Sequence, residues 1–266
     1  MSQQRKSVRV VIVNWRTPLL TERAARSLWP QLRAGDELVV VDNASASADP
    51  RDNSLAHLRR LGAQLGSSGP ARFGLVQSRR NGGFGYGVNL GARNLRQDAL
   101  VLLNSDAYAL EGFVDALTAP LGHDLVEATT ARLLLEGRWR LVDDGTKPAS
   151  PQAHDAGESA SPQAPGGVGS DSPDVGAPDS PSAVEAQTEP TTGAPQSTGS
   201  AQLRGLDGGV WISDPSGVEL INSTGNLVDA CGNGYDRSWL APAPQEHDSP
   251  EVFGICGGAC AISARA

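Results

Sequence analysis

The chain has 266 residues, which is enough for one large α/β domain or two small ones. Its net charge of −8 and its pI near 5.0 exclude a general nucleic-acid binder, since such a protein needs a basic face. The three cysteines are an odd and sparse set that indicates no disulfide framework. We therefore expect a protein of the reducing cytoplasm with no nucleic-acid partner.

The amino terminus carries basic residues before a valine run, as a signal peptide does. Asn14 and Arg16 interrupt that run, and no cleavage site of small residues follows it. No stretch approaches the roughly 20 apolar residues that a membrane helix requires. We expect a cytoplasmic protein, and peripheral association with the inner face of the cell membrane stays open.

The first elements in chain order are a strand and a helix. The β-branched run Val8–Asn14 predicts a strand that is buried on both faces. Thr17 and Pro18 predict a helix start, with the threonine hydroxyl as cap and proline at the first helical position. The buried stripe of this helix is predicted to repeat every four residues, at Leu20, Ala24, Leu28 and Leu32.

The alternation of strands and helices then continues. The pattern predicts strands at Glu37–Asp42, Phe73–Gln77 and Ala99–Leu103, and helices near Asp52–Leu65 and Val88–Leu95. Such alternation is typical of an α/β fold with a mostly parallel central sheet and helices on both faces.

Polar residues follow each of the four predicted strands. Asn14 and Asp42 end the first two, Arg80 and Asn81 follow the third, and Asp106 follows the fourth. Parallel strands end at one edge of their sheet, and ligands bind beyond that edge. The sequence therefore predicts a binding site there.

The composition changes after Leu141. Up to Leu203 the chain has no aromatic residue, isoleucine or leucine, and it is acidic. Such a segment cannot bury enough apolar surface to fold, so we predict a long disordered insertion over 143–206. It divides the chain into a first part, 1–142, and a last part, 207–266, whose short β-like pieces are predicted at Gly209–Ile212, Ile221–Thr224 and Leu227–Val228.

Five sequence blocks follow one another in chain order. They are VVIVNW at Val10–Trp15, VVVDNAS at Val39–Ser45, NGGFGYGVN at Asn81–Asn89, LLNSD at Leu102–Asp106 and GGA at Gly257–Ala259. Together they resemble glycosyltransferases of family 2, particularly the rhamnosyltransferase-like branch. The resemblance covers about 8–141 and 209–266. It implies a GT-A fold, with the donor half in 1–142 and the beginning of the acceptor half in 207–266.

The resemblance also implies roles for residues of the first three blocks. Asp42 would accept a hydrogen bond from a pyrimidine N–H, and Asn14 would lie near the nucleoside. Arg80 would offset phosphate charge, although a solvated surface arginine is an open alternative. The remaining residues expected to bind the nucleotide sugar are Asn81, Gly83, whose backbone could approach the ligand, and Asn89, for which a helix-start cap is the alternative.

The fourth block is similar to the metal-binding motif of the family. Asp106 would hold Mg²⁺ or Mn²⁺ against the diphosphate of the donor, and Asn104 stands where the usual motif has its first acid. The alternative is that Asp106 caps a turn, or a helix that begins near Glu111.

The last block implies an acceptor side at Gly257, Gly258 and Ala259. Inverting transfer also needs a general base, which we expect beyond Ala266, so we expect the chain to be truncated, with impaired turnover. Truncation would expose apolar surface that the missing segment otherwise covers, and this surface would favour self-association. The alternative bases are Glu246, Asp248 and Glu251.

The implied activity is transfer of a sugar, with rhamnose as one candidate, from a dTDP- or UDP-linked donor to a glycan or lipid-linked acceptor of the cell wall. A non-catalytic nucleotide-sugar-binding remnant or regulatory subunit is the alternative. A dinucleotide oxidoreductase is disfavoured because no G-x-G-x-x-G follows the first strand. Cys256 and Cys260 are expected on one face of a strand as structural thiols, and no histidine is expected to be catalytic.

Overall fold

The structure is a computed structural model that describes residues 5–143, 201–205, 208–245 and 249–265. Most of the predicted disordered insertion lies outside the described residues. The same is true of His154 and His247, and of Glu246 and Asp248, two of the alternative bases.

The first half of the chain alternates strands and helices, as predicted. Its elements are β1 (Val8–Asn14), α1 (Pro18–Leu28), β2 (Glu37–Asp42), α2 (Ser45–Ala48), α3 (Ser54–Gly66), β3 (Arg72–Gln77), α4 (Gly83–Gly91), β4 (Ala99–Leu103) and α5 (Phe113–Thr118). Short 3₁₀ helices follow α1 at Trp29–Gln31 and α5 at Ala119–Gly122.

The second half consists mainly of short strands. They are β5 (Ala128–Thr130), β6 (Leu133–Leu134), β7 (Trp139–Asp143), β8 (Gln202–Arg204), β9 (Val210–Ser213), β10 (Ile221–Ser223), β11 (Asn226–Val228), β12 (Gly234–Asp236) and β13 (Ala259–Ser263), with a 3₁₀ helix at Ala243–Gln245. Asp143 and the whole of β8 are strand residues that fall within the predicted insertion 143–206.

The central sheet has six strands in the order β3-β2-β1-β4-β13-β5. The strands β1 to β4 all run parallel, and β13 runs antiparallel to both β4 and β5. The predicted α/β fold with a mostly parallel sheet and flanking helices is thus confirmed. Because β13 pairs with β4, residues from both ends of the chain build one sheet.

Both faces of this sheet are buried, which explains the continuous apolar runs of its strands. Alternate residues of β1 enter two separate cores. Val10 and Ile12 pack with Leu28 of α1 and Leu58 of α3 on one face. On the other face, Val11 belongs to a smaller core covered by residues of α4.

Helix α1 departs from its prediction at two places. Leu20 is 42% exposed, whereas the other three residues of the predicted stripe are buried. Thr17 precedes the helix but makes no capping hydrogen bond with its side chain. Its hydroxyl instead donates to Ser105 Oγ at 3.3 Å, in the turn after β4. This hydrogen bond between distant elements takes the place of the predicted capping hydrogen bond.

A second, smaller sheet has the order β7-β9-β8 and is antiparallel. Trp139 of β7 packs there with Leu220 and Leu240. On this part of the surface, hydrogen bonds from Ser216 and then Arg140 lower the pKa of the Asp214 carboxyl to about 2. None of the helices in the described part of the chain is long and apolar enough to cross a membrane.

Candidate functional site

The carboxyl ends of the first three strands are in register at one edge of the sheet. Asn14, the last residue of β1, pairs with Asp42, the last residue of β2. Asp42 in turn pairs with Gln77, the last residue of β3. Parallel pairing therefore brings together three polar side chains that are 28 or more residues apart in the sequence.

A buried hydrogen-bond network joins the first two of these strand ends. Asn14 is fully buried, and its Nδ2 donates to Asp42 Oδ1 at 2.9 Å and to Ser45 Oγ at 3.1 Å. Ser45 Oγ also donates to Asp42 Oδ1, at 2.5 Å, and Thr21 Oγ1 donates to Asn14 Oδ1 at 2.9 Å. Each member of the network has a partner, so the carboxylate is fixed in one orientation.

The other oxygen of Asp42 is available. Among the described residues, no group donates a hydrogen bond to Oδ2, although the residue is only 2% exposed. Asp42 also contributes to the wall of a cavity of about 500 Å³. The remaining lining residues are Ala44, Ala46, Ser47, Leu55, Gln77, Ser78 and Arg79. A carboxylate oxygen here can accept a hydrogen bond from a ligand N–H.

The turn after β2 is shaped by an unusual backbone conformation at Ala44. This residue has a φ of +61° and a ψ of 45°, which lie in the left-handed region that residues other than glycine seldom adopt. The left-handed conformation at Ala44 turns the chain so that α2 begins at Ser45 and lines the cavity. Strain of this kind persists where the surrounding structure holds it, as the buried network does here.

Asn43 connects this turn to the glycine-rich segment. Its Nδ2 donates to Asn81 Oδ1 at 2.8 Å and to the Gly83 carbonyl at 3.1 Å. The amide of Gly83 donates to the same Asn81 oxygen at 3.0 Å, and Gly83 has a φ of +82°. Asn43 itself is 3% exposed. Two predicted site residues, Asn81 and Gly83, are thereby held against the turn that carries Asp42.

The helix after the glycine-rich segment begins earlier than predicted. Helix α4 spans Gly83–Gly91 and not Val88–Leu95. A Cβ on Gly87 would lie 2.7 Å from Val13 Cγ1, and one on Gly91 would lie 2.6 Å from Val11 Cγ1. These two glycines let α4 approach the sheet closely. Asn89 lies inside the helix and is exposed, so the alternative that it caps the helix start is wrong.

The two arginines before this segment lie in different places. Both are exposed, but Arg79 lines the cavity, whereas the guanidinium carbon of Arg80 lies 5.2 Å from the centre of the Tyr86 ring. Arg79 was not predicted as a site residue. The adjacent pair in the sequence gave no signal to distinguish them.

The turn after β4 joins the same edge of the sheet. Thr17, three residues after Asn14, contacts Ser105 in this turn. Asp106 follows and is exposed, and no hydrogen bond to its side chain is made within the described residues. Asn104 N donates to the Gly258 carbonyl at 2.8 Å, and Ala259 pairs with Leu103. The structure thus brings the predicted acceptor-side glycines beside the predicted metal-binding turn.

The part of the chain that the structure describes has no preformed metal site. The described residues contain no group of three or more His, Cys, Asp and Glu side chains that could hold an ion. Cys256 precedes β13 and is not on the strand with Cys260, which corrects the expectation that they share a strand face. Burial raises the pKa of Cys260 to about 11, so it is an inert thiol.

Sequence reasoning missed four residues of this site. Asn43 and Ser45 lie within the VVVDNAS block but were assigned no role, and Thr21 lies inside a helix. Their roles depend on contacts between elements, which no local pattern reveals. The four are Thr21, Asn43, Ser45 and Arg79.

Comparisons with known proteins give only distant similarities. No protein-family description and no curated protein matches the chain. Among solved structures, the mannosyltransferase PcManGT from Pyrobaculum calidifontis, in complex with GDP-Man and Mn²⁺, is 22% identical with a TM-score of 0.42. The match covers 49% of this chain and 36% of that one.

Two further solved structures are similar at the same level. A fragment of TarS from S. aureus is 16% identical with a TM-score of 0.41, and the match covers 53% of this chain and 40% of that one. Glucosyl-3-phosphoglycerate synthase from Mycobacterium tuberculosis is 18% identical with a TM-score of 0.36, over 47% and 43% of the two chains. The chain thus spans less than half of each, and similarity at this level does not assign an activity.

Proposed function

We propose that the sheet edge formed by β1 to β4 binds a nucleotide sugar and that the chain is a glycosyltransferase. The single observation that carries the proposal is Asp42: a buried carboxylate, oriented through one oxygen, that lines a cavity of about 500 Å³. The donor is a dTDP- or UDP-linked sugar, with rhamnose as one candidate. The acceptor is a glycan or lipid-linked glycan, and transfer inverts the anomeric centre.

The cavity suits a pyrimidine nucleoside in size and chemistry. Pockets for small ligands typically start at about 300 Å³ and combine apolar walls with a few fixed polar groups. Ala44 and Leu55 supply apolar wall, and Gln77 supplies an amide. The free oxygen of Asp42 accepts a hydrogen bond from the imide N–H of uracil or thymine. Cytosine lacks a proton on that nitrogen, so this contact favours a UDP or dTDP donor.

Asp106 suits the diphosphate end of the same ligand. Its exposed carboxylate lies on the turn after β4, two residues after Asn104, and is free to take a ligand. Mg²⁺ is commonly held by one or two carboxylates together with substrate phosphates and water, so a cage of three acidic residues is not required. Bound Mg²⁺ or Mn²⁺ would neutralise the charge that develops on the departing nucleotide. Asp106 would hold the ion, with Asn104 beside it.

The proton of the acceptor must pass to a base as the acceptor oxygen bonds to the anomeric carbon and the bond to the diphosphate breaks. Of the alternative bases, Glu251 is the one that the structure describes. It is exposed, and its carbonyl accepts a hydrogen bond from Arg237. This position in a surface loop favours a second candidate function, binding of a nucleotide sugar without transfer.

Calorimetry separates these functions. We expect UDP or dTDP to bind more tightly with Mn²⁺ than without it, and Asp106→Asn to abolish that difference. Asp124→Asn is the matched control, because the Asp124 side chain is 94% exposed and remote in sequence from all predicted site residues. If neither nucleotide binds in the presence of Mn²⁺, the proposal is wrong. If a labelled sugar nucleotide binds but no sugar is transferred to any glycan tested, binding without transfer is the function.

A further inference from the structure

Phe84 is a large aromatic side chain that the fold does not bury. It lies in the first turn of α4 and is 42% exposed. Both of its neighbours are glycines, and a Cβ built on either Gly83 or Gly85 would have no atom within 4 Å. Phe84 therefore lies between two backbone positions that have open space around them, on the segment that Asn43 connects to the turn after β2.

The glycine at position 85 has no explanation within the fold. It lies in a helix and its φ is not positive, and a side chain there would meet nothing. Glycine is the poorest helix former after proline, so alanine would suit this position better. Gly87 and Gly91 differ, because side chains there would collide with valines of β1. The space at Gly85 is consistent with close approach of a ligand to the backbone.

The Phe84 ring also lies beside Gly257, two residues before β13 begins. A Cβ on Gly257 would lie 3.5 Å from Phe84 Cε1, which is van der Waals distance. The next residue, Gly258, accepts a hydrogen bond from Asn104 in the turn that carries Asp106. Phe84, in the glycine-rich segment, thus lies beside a residue whose neighbour is hydrogen-bonded to the proposed metal-binding turn, so its exposed ring is near the proposed donor site.

We propose that Phe84, with the open backbone at Gly85 and the exposed Gly257 beside its ring, forms the platform on which the pyranose ring of the donor sugar stacks. This rests on the proposed function. The C–H groups on one face of a pyranose are apolar and pack on an aromatic ring, while its hydroxyls stay free for water and for backbone polar groups. The nucleoside cavity and this platform then hold the two ends of one ligand, on either side of the diphosphate.

The test compares ligands with and without the sugar. The parent protein and Phe84→Ala are titrated with UDP and UDP-glucose, and with dTDP and dTDP-glucose, in the presence of Mn²⁺. We expect Phe84→Ala to bind the sugar nucleotide about tenfold more weakly than the parent, and the free nucleotide equally well. Phe84→Trp should retain sugar-nucleotide binding, because it keeps an aromatic face. Tyr235→Ala is the matched control, since Tyr235 is also 42% exposed but lies on the β11–β12 hairpin.

Each outcome has one meaning. Equal binding of the sugar nucleotide by the parent and Phe84→Ala would overturn the platform and leave the proposed function standing. Equal loss of free nucleotide and sugar nucleotide would also overturn it, because Phe84 would then act on the whole site. Failure of the parent to bind any of the four ligands would overturn the proposed function and the platform together.

A second variant tests the open space directly. We expect Gly85→Ala to raise the Tm by about 2–4 °C and to weaken binding of the sugar nucleotide but not of the free nucleotide. Gly66→Ala is its control: Gly66 ends α3, and a Cβ there would also meet nothing, so the change should leave binding unaltered. Unchanged sugar-nucleotide binding by Gly85→Ala would show that no ligand approaches this backbone.

Discussion

Among the members of the buried network, Asn14 is predicted to be the one whose replacement destabilises the protein most, because its side chain makes three hydrogen bonds at once. Its amide donates to Asp42 and Ser45, and its oxygen accepts from Thr21. Asn14→Ala removes all three bonds and keeps the backbone bond from Asn43 N to the Asn14 carbonyl, which is 2.8 Å long. The change therefore isolates the side-chain network from the pairing of the strands.

The loss of stability on Asn14→Ala follows from the polar groups that the substitution leaves without a hydrogen-bond partner. The Thr21 hydroxyl is fully buried and loses its acceptor, which costs about 1–3 kcal/mol. Asp42 loses one of two donors to Oδ1, and a hydrogen bond to a charged group contributes about 1.5–3 kcal/mol. Ser45 keeps Asp42 as its acceptor. Allowing for partial relaxation, we expect the free energy of unfolding to fall by about 3 kcal/mol.

The assay is urea denaturation followed by the fluorescence of the five tryptophans. A double-mutant cycle with Thr21→Val supplies the refuting result. In the parent, Thr21→Val should destabilise the protein because Asn14 loses a donor. In the Asn14→Ala background it should recover about 1 kcal/mol, because it removes the unpaired hydroxyl. Equal destabilisation in both backgrounds would show that the two residues are not coupled.

Three further predictions follow from packing and ionisation. Gly91→Ala should lower stability by about 1–3 kcal/mol, measured as a fall in Tm, because its Cβ would lie 2.6 Å from Val11 Cγ1. The folded pKa of Asp214 is depressed to about 2, so its contribution to stability is present above the ordinary value of 3.8 and is lost as pH falls toward 2; Asp214→Asn should flatten acid unfolding in that window. Iodoacetamide at pH 8 should label exposed Cys231 long before Cys260, as peptide mass spectrometry can show.

The strands of the parallel sheet could be predicted closely from the sequence. The predicted bounds of β1, β2 and β4 agree with the structure, and β3 differs by one residue. Strands buried on both faces read as unbroken apolar runs that end sharply at a polar residue. Helix α4 was misplaced for the opposite reason: residues 82–87 contain four glycines in six positions, so this segment has poor intrinsic helix propensity. Its packing on the sheet, which Gly87 and Gly91 allow, stabilises the helix.

Within the candidate site, the residue types could be predicted but their contacts could not. Asp42 ends its strand and Asp106 follows one, both within the blocks that carry the resemblance, and the structure gives them different surroundings: Asp42 is buried and hydrogen-bonded, and Asp106 is exposed. Thr17 was expected to cap its own helix and instead contacts Ser105. Which hydrogen bond the Thr17 hydroxyl makes depends on the partner that the folded chain places within its reach. That placement is a non-local property.

The sequence by itself determined the order of the elements and the positions of the polar residues that end them, because both are encoded in local patterns of apolar and polar side chains. Only the tertiary structure decided which of those residues meet. Parallel pairing of β1 and β2 aligns Asn14 with Asp42. The pairing of β13 with β4 places Gly258 beside Asn104, and hydrogen bonds from Asn43 connect the glycine-rich helix to the turn after β2. Such contacts join residues far apart in the chain, and their free energy appears only once the sheet has formed.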